Sequence, residues 1–420
     1  MPKLKERKSA SHTSVKAFKV LGGIDSLYYF ADTTNDALYQ SFFDNMLNLC
    51  ENFSFDDFQA TYRGSTSSKS SGFGVVWYSV TRGDCLIARI GFKSGLIQRN
   101  VHNIFVQLDG ESIYRNGLLE SIIIVFDFLC HFCSSPAITQ KNTDDLIVNR
   151  ADINAFISGW DFSIYNSPDY FKTPFYRQRL CPAISNDYCD IYYNANEMES
   201  IYFGTRGGSW RFKLYNKGLE IVSHLRSGER APSAMAKLCY LIDNGLLKYG
   251  STHEEIIRSN CWNLEFSFKR EFLKQCKLYT VSALLDNSQN LFNLGLEKIE
   301  LLDADLSTIQ KARSSGHLNR LPVSSAWQSI GEKYNSLEVK PIERLLRRHK
   351  QSTLDGITKT ILYKLRNCGY TFDNFIHNLL VTGIIRHRDF FTRRSLWKSL
   401  THPFLHHIHY FSIMVIVVKT

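Results

Sequence analysis

Apolar and polar residues alternate with a period of two along several stretches of the chain. The clearest runs from Trp262 to Phe268. There Leu264, Phe266 and Phe268 point one way and Asn263, Glu265 and Ser267 the other, so the pattern predicts a strand with one core face. Gly22 to Thr33 alternates in the same manner. Phe73 to Val80 and Cys85 to Phe92, joined by Thr81-Arg82-Gly83-Asp84, predict a hairpin. His102 to Leu108 and Asp145 to Ile157 are further strand candidates. So are Asp190 to Tyr193, Glu199 to Thr205 and Trp210 to Tyr215, with Arg206-Gly207-Gly208 as a turn between the last two. Helical spacing marks Leu38 to Phe53 and Ala231 to Tyr249, and Leu118 to Cys133 reads as a buried helix. The Ser- and Gly-rich stretch Arg63 to Gly72 predicts a loop. From about Val281 onward the signals are mainly helical and polar. This order predicts an α+β fold: an antiparallel-rich sheet with packed helices, followed by a mainly helical, basic C-terminal region. No internal repeat is visible.

Charge adds a direction to that picture. The 420 residues carry a net charge of +10, and such a surplus favours a polyanionic partner, nucleic acid or an acidic membrane surface. The surplus is concentrated at the end. Pro341 to Thr420 holds 13 Lys+Arg against 4 Asp+Glu, leaving the first 340 residues nearly neutral. The ten cysteines have no framework spacing, which predicts reduced thiols in a cytoplasmic protein. The polar start carries no signal-peptide pattern, and no run of 18 apolar residues exists to span a membrane. Residues 1–18 read as a disordered basic arm.

The densest chemistry lies in Ile201 to Glu220, IYFGTRGGSWRFKLYNKGLE. As a hairpin it places Arg211, Lys213 and Tyr215 on one strand face, with Lys217 joining them where the strand continues. Cations beside a tyrosine suit a phosphodiester: they neutralise phosphate and are expected to lower the phenol pKa toward a nucleophilic range. Asp109, Asp152 and Glu265 stand in separate apolar strands, where an unpaired acid is costly. Acids converging from different strands commonly hold a hard divalent ion such as Mg²⁺ or Mn²⁺.

These strings resemble the replication initiation factor family of rolling-circle plasmids and some filamentous phages, the nicking-closing initiators. The resemblance rests on Tyr-Phe-Gly-Thr-Arg ending at Arg206, on Leu-Tyr-Asn-Lys-Gly-Leu-Glu around Tyr215, on Trp-Asn-Leu-Glu-Phe-Ser-Phe-Lys-Arg around Glu265, and on Arg-Ala-Asp-Ile-Asn around Asp152. The strand ending at Asp109-Gly110 is similar to the family's first acidic strand. The resemblance covers roughly residues 24–275. It implies that Tyr215 is the nucleophile, that Asp109, Asp152 and Glu265 hold one divalent metal, and that Arg206, Arg211, Lys213 and Lys217 grip phosphates. It further implies plasmid or phage origin DNA as substrate, a 5′-phosphotyrosine intermediate with a free 3′-hydroxyl, a host helicase partner and a homodimer. The nicking domain would then span 19–280, followed by a helical region at 281–340 and a basic, His-rich region at 341–420.

Blander readings stand beside each residue. A strand tyrosine between cations is often a packed surface aromatic, and a strand acid is often an arginine's partner. Asp109-Gly110 is a common turn pair. Arg206 can simply pin its turn, and Lys217 can pair with Glu220. Cys130 and Cys133 have C-x-x-C spacing without a second pair and read as core. His407 and His409 form a His-x-His near the end, readable as a metal clamp or as chance in a His-rich region. Arg344 to Lys350 is a solvated helix face or a DNA contact. The rival to a nicking enzyme is an origin-binding regulator that does not cut.

Overall fold

A computed structural model of the chain describes residues 17–33, 43, 51–67, 74–93, 102–132, 143–172, 189–194, 197–204, 207–228 and 230–334. Most of the predicted basic arm, nearly all of the Leu38–Phe53 helix, Arg206, Cys133 and the whole basic region with His407 and His409 lie outside these residues.

The described strands are β1 (Lys19–Ala31), β2 (Phe53–Phe55), β3 (Phe58–Ser67), β4 (Gly74–Arg82), β5 (Cys85–Lys93), β6 (Ile104–Leu108), β7 (Ile147–Ser158), β8 (Phe171–Lys172), β9 (Cys189–Asn194), β10 (Glu197–Phe203), β11 (Trp210–Asn216), β12 (Cys261–Lys269) and β13 (Glu300–Leu301). Eleven of them form one antiparallel sheet in the order β2-β3-β4-β5-β6-β1-β7-β12-β11-β10-β9. β1 and β7 run side by side at its centre. From β1 the chain moves to the far edge and meanders back until β6 lies beside β1. From β7 it moves to the opposite edge and meanders back until β12 lies beside β7. The two halves thus follow the same path.

The sheet's two faces differ in kind. One is apolar: Leu264, Phe266 and Phe268 of β12, Phe212 and Leu214 of β11, Ile153 of β7, and Leu27 and Tyr29 of β1 are buried there. Helix α2 (Leu118–Phe132) covers one half of this face, its Phe128 and Phe132 packing on Phe58 and Tyr78. Helix α6 (Ser288–Leu296) covers the other, with Phe292 edge-on to Phe266 at 5.6 Å and Gly295 against the same ring. Tyr334, at the end of the described chain, stacks on Phe292 and donates its hydroxyl to the Gly23 carbonyl at 3.1 Å. Helices from 281–334 therefore pack on the sheet itself.

Three predictions are corrected at this level. Helix α2 is amphipathic rather than buried all round, leaving Leu119, Ile123 and Cys130 exposed, so Cys130 is not a core residue. Arg63 to Ser67 is strand, not loop, because it pairs with β4 through a register shift at Gly64. The helix predicted to Tyr249 ends at Asp243. The alternation read in Trp262 to Phe268 matches β12. Among the described residues no helix is long and apolar enough to cross a membrane.

The opposite face carries the polar residues, and among the described residues helices roof one end of it. These are α1 (Gly110–Asn116), α3 (Lys217–Ser227), α4 (Ala231–Asp243) and α5 (His253–Arg258). Phe156, Ile221, Val222, Ala234, Leu241, Leu247 and Ile256 form a second apolar cluster beneath that roof.

Candidate active site

Register places the site residues in rows across three adjacent strands. Tyr215 of β11 lies opposite Asn263 of β12, which lies opposite Phe156 of β7. One step along, Lys213, Glu265 and Asn154 align, and beyond them Arg211, Ser267 and Asp152. All point to the polar face, since every second residue does. β1 contributes through a register shift between Ile24 and Ser26. A bulge re-aims side chains, and here both Asp25 and Ser26 reach the polar side: Ser26 donates to Asp152 at 2.7 Å, and Asp25 accepts from the Tyr114 hydroxyl at 2.7 Å.

Tyr215 is half-buried at the edge of the helical roof. Its Oη lies 3.2 Å from the Lys217 Nζ and accepts a hydrogen bond from Asn263 Nδ2 at 2.7 Å. Asn263 is held in turn by Asn154, which donates to its Oδ1 at 2.9 Å. Lys217 does not extend the strand as predicted. Asn216 stops β11 by capping the next helix, accepting from the Leu219 N–H, so Lys217 opens α3. Its amine still returns to the tyrosine. Gly218 follows because α3 passes directly over the Ile256 carbonyl, leaving no room for a Cβ.

Expected cationic activation of the phenol is reversed. Burial pushes the Tyr215 pKa well above its ordinary value, the Glu220, Glu265 and Asp25 carboxylates push it further, and the Asn263 hydrogen bond opposes them. The hydroxyl is held protonated until a partner takes its proton.

The acids are not equivalent. Asp152 is buried and gripped by Arg150 through two bonds of 2.8 and 2.6 Å. Glu265, also buried, is paired with Lys213 at 2.5 Å. Burial, with Asp152 and Asp25 nearby, raises the Glu265 pKa against the pull of Lys213. Asp109 stands apart from this pair: it caps α1 by accepting from the Glu111 N–H at 2.9 Å. Among the described residues, no three His, Cys, Asp or Glu side chains converge to hold a metal ion. The carboxylates that do approach one another, Asp25, Asp152 and Glu265, each face a cation, with Lys237 3.6 Å from Asp25. This arrangement does not fit a ready-made metal shell.

Away from the roof, the polar face opens into a groove of about 250 Å³ lined by Arg150, Trp210, Arg211, Lys213, Ser267 and Lys269. Arg211 is braced by the Tyr202 ring at 5.0 Å and by Asp190 at 3.6 Å. Four cations line this groove, a chemistry suited to phosphate oxygens, and three of them already face carboxylates. Sequence reasoning named Arg211 and Lys213 but passed over Arg150, Lys269, Asn263 and Asn154, although the same alternation that flags Asp152 and Glu265 puts all four on their face. Asp25, Tyr114 and Lys237 gave no such signal: a bulge places the first, and the other two come from roofing helices.

No family model matches the chain, and no curated protein matches it by sequence. Among solved structures the chain is similar to a rolling circle replication initiator protein from Geobacillus stearothermophilus. The identity is 10% and the TM-score 0.37, over 76% of this chain and 100% of that one.

Proposed function

We propose that the chain is a rolling-circle DNA replication initiator that nicks one strand at an origin through Tyr215. One observation carries this reading: the Tyr215 hydroxyl, hydrogen-bonded by Asn263 and Lys217, sits on the same sheet face as a groove of four cations. The initiator-like strings around Tyr215, Glu265 and Asp152 support it. Arg150, Arg211, Lys213 and Lys269 hold the phosphates flanking the scissile bond, and the fixed strand geometry presents Tyr215 beside them. Attack by Oη on phosphorus gives a 5′-phosphotyrosine link and frees a 3′-hydroxyl to prime synthesis. The link conserves the bond energy for rejoining. Origin DNA of a plasmid or phage, a host helicase and a second copy of the chain are the partners this reading calls for.

The test uses a supercoiled plasmid carrying the DNA that flanks the chain's own coding sequence. Wild-type protein should convert it to nicked circles bearing covalently attached protein, and Tyr215→Phe should bind equally while forming no adduct. An adduct at the wild-type rate with Tyr215→Phe refutes the assignment. Arms with Mg²⁺, Mn²⁺ and EDTA test the divalent ion that the resemblance implies, with Asp109, Asp152 and Glu265 as its implied ligands. The closed pairs Lys213–Glu265 and Arg150–Asp152 favour a second reading, a non-cutting origin-binding regulator. Binding without an adduct in every arm selects that one.

A further inference from the structure

Beneath the helical roof a buried charge cluster surrounds Lys217, which binds the Tyr215 hydroxyl. Lys217 has no exposed side-chain surface, and it lies 2.6 Å from Glu220 as well as 3.2 Å from Tyr215 Oη. Its Nζ also lies near the Phe156 and Tyr215 rings, 5.7 and 5.1 Å from their centroids. Other ionisable groups face it from every packed element. Lys237 comes from α4 and pairs with Asp25 at 3.6 Å, Asp25 comes from β1 with Tyr114 of α1 on its carboxylate, Cys261 comes from β12, and His224 touches Glu220 at 4.0 Å.

Resting on the nicking reading, we propose that Lys217 is the base that takes the phenolic proton from Tyr215 during strand cleavage and returns it during rejoining. Two lysines in one buried cluster repel each other when both are protonated, so one is disposed to give up its proton. Their surroundings decide which. Burial lowers the Lys217 pKa, with Lys237 adding to the effect and Glu220 opposing it. Burial opposes the charge on Lys237 too, but Asp25 and Glu220 more than offset it and hold that proton firmly. Lys217 is therefore the lysine whose proton is labile, and it is the one against the tyrosine. The same separation serves both states: as an ammonium Lys217 donates to Oη, and as a free amine it accepts from it. When the Oη–phosphorus bond forms, the phenolic proton passes to the Nζ lone pair. As the bond from phosphorus to O3′ breaks, its electron pair leaves with O3′, which takes a proton from water. The new ammonium is stabilised by Glu220 until the reverse reaction.

The experiment measures single-turnover adduct formation on the plasmid described above, at saturating protein, from mildly acidic to alkaline pH. Wild type should rise to a plateau through an apparent pKa below that of an ordinary lysine. Lys217→Arg keeps a cation but has no accessible free base. It should bind DNA, lose roughly 10²–10⁴-fold in rate and lose the rising limb. Lys217→Ala should be rescued by added methylamine or ethylamine in proportion to the free-amine fraction. Wild-type rate and limb in Lys217→Arg, or rescue that follows the ammonium fraction, overturns the proposal while leaving the nicking reading intact. A wild-type profile with no rising limb overturns it even where neither variant folds. No adduct from wild type at any pH removes the nicking reading, and the proposal with it.

Discussion

Lys213→Met isolates the energetics of the polar face from any chemistry performed there. Glu265 is 2% exposed and its principal partner is Lys213, which is 22% exposed. The other bond to its carboxylate, from Ser267 Oγ, is long at 3.4 Å. Removing one member of a buried pair strands the other's charge, at a cost of roughly 3–5 kcal/mol. Water can enter where the partly exposed ammonium stood, so the loss at neutral pH should sit near the low end, about 3 kcal/mol. The Glu265 pKa is already raised, and without Lys213 it rises further. A carboxyl whose folded pKa exceeds its unfolded value holds a proton in the folded state. The variant is therefore most stable below the unfolded value and loses stability as pH climbs through the folded one. Urea unfolding midpoints measured at neutral and mildly acidic pH should show the larger deficit at neutral pH. Adding Glu265→Gln to the variant should recover most of it, since a neutral amide carries no stranded charge. A deficit under 1 kcal/mol, equal at both pH values, would refute the reasoning and mean that Glu265 is solvated.

Two further outcomes follow from the same geometry. Gly218→Ala should destabilise the fold by about 1–3 kcal/mol, because its Cβ would meet the Ile256 carbonyl and push α3 off α5; an unchanged thermal midpoint would show that the two helices are not in contact. Arg150→Ala and Lys269→Ala should each weaken binding of a single-stranded oligonucleotide and flatten the plot of log K against log salt concentration by about 0.7. Unchanged slopes would remove the groove from the DNA path.

Much of the sheet was legible because a strand with one buried face must alternate. Strand β12 shows this fully: the pattern in Trp262 to Phe268 gives both its apolar side and the row Asn263, Glu265 and Ser267. Alternation also grouped Arg211, Lys213 and Tyr215. It failed where the backbone departs from period two. Asp25 reaches the site only because β1 bulges there, and no single-sequence pattern marks that bulge. Lys217 looked like a continuation of β11 because Asn216, a strand-end residue in the pattern, acts as a helix cap. The direction of the Tyr215 pKa was misjudged for a different reason. Neighbouring cations are visible in a string, whereas the roof that buries the phenol comes from α3 to α5, and the carboxylates around it come from β1, β12 and α3.

The two halves of the sheet follow one path yet carry different polar faces, and that difference locates the chemistry. In the half built on β7, the strands beside the centre present Arg150, Asp152, Asn263, Glu265 and Lys213, locked in ion pairs and amide bonds. In the half built on β1, the same face carries an aromatic patch, with Phe30 on Phe105 at 5.2 Å and on His102 at 5.0 Å and Trp77 edge-on to Phe105, beside a polar row of Gln107, Arg89 and Ser79. The β1 half also supplies one displaced carboxylate, Asp25, which the bulge in β1 turns toward Lys237 at 3.6 Å. The halves share a path in the sheet but not a pattern of residue types, which leaves no repeat visible in the sequence.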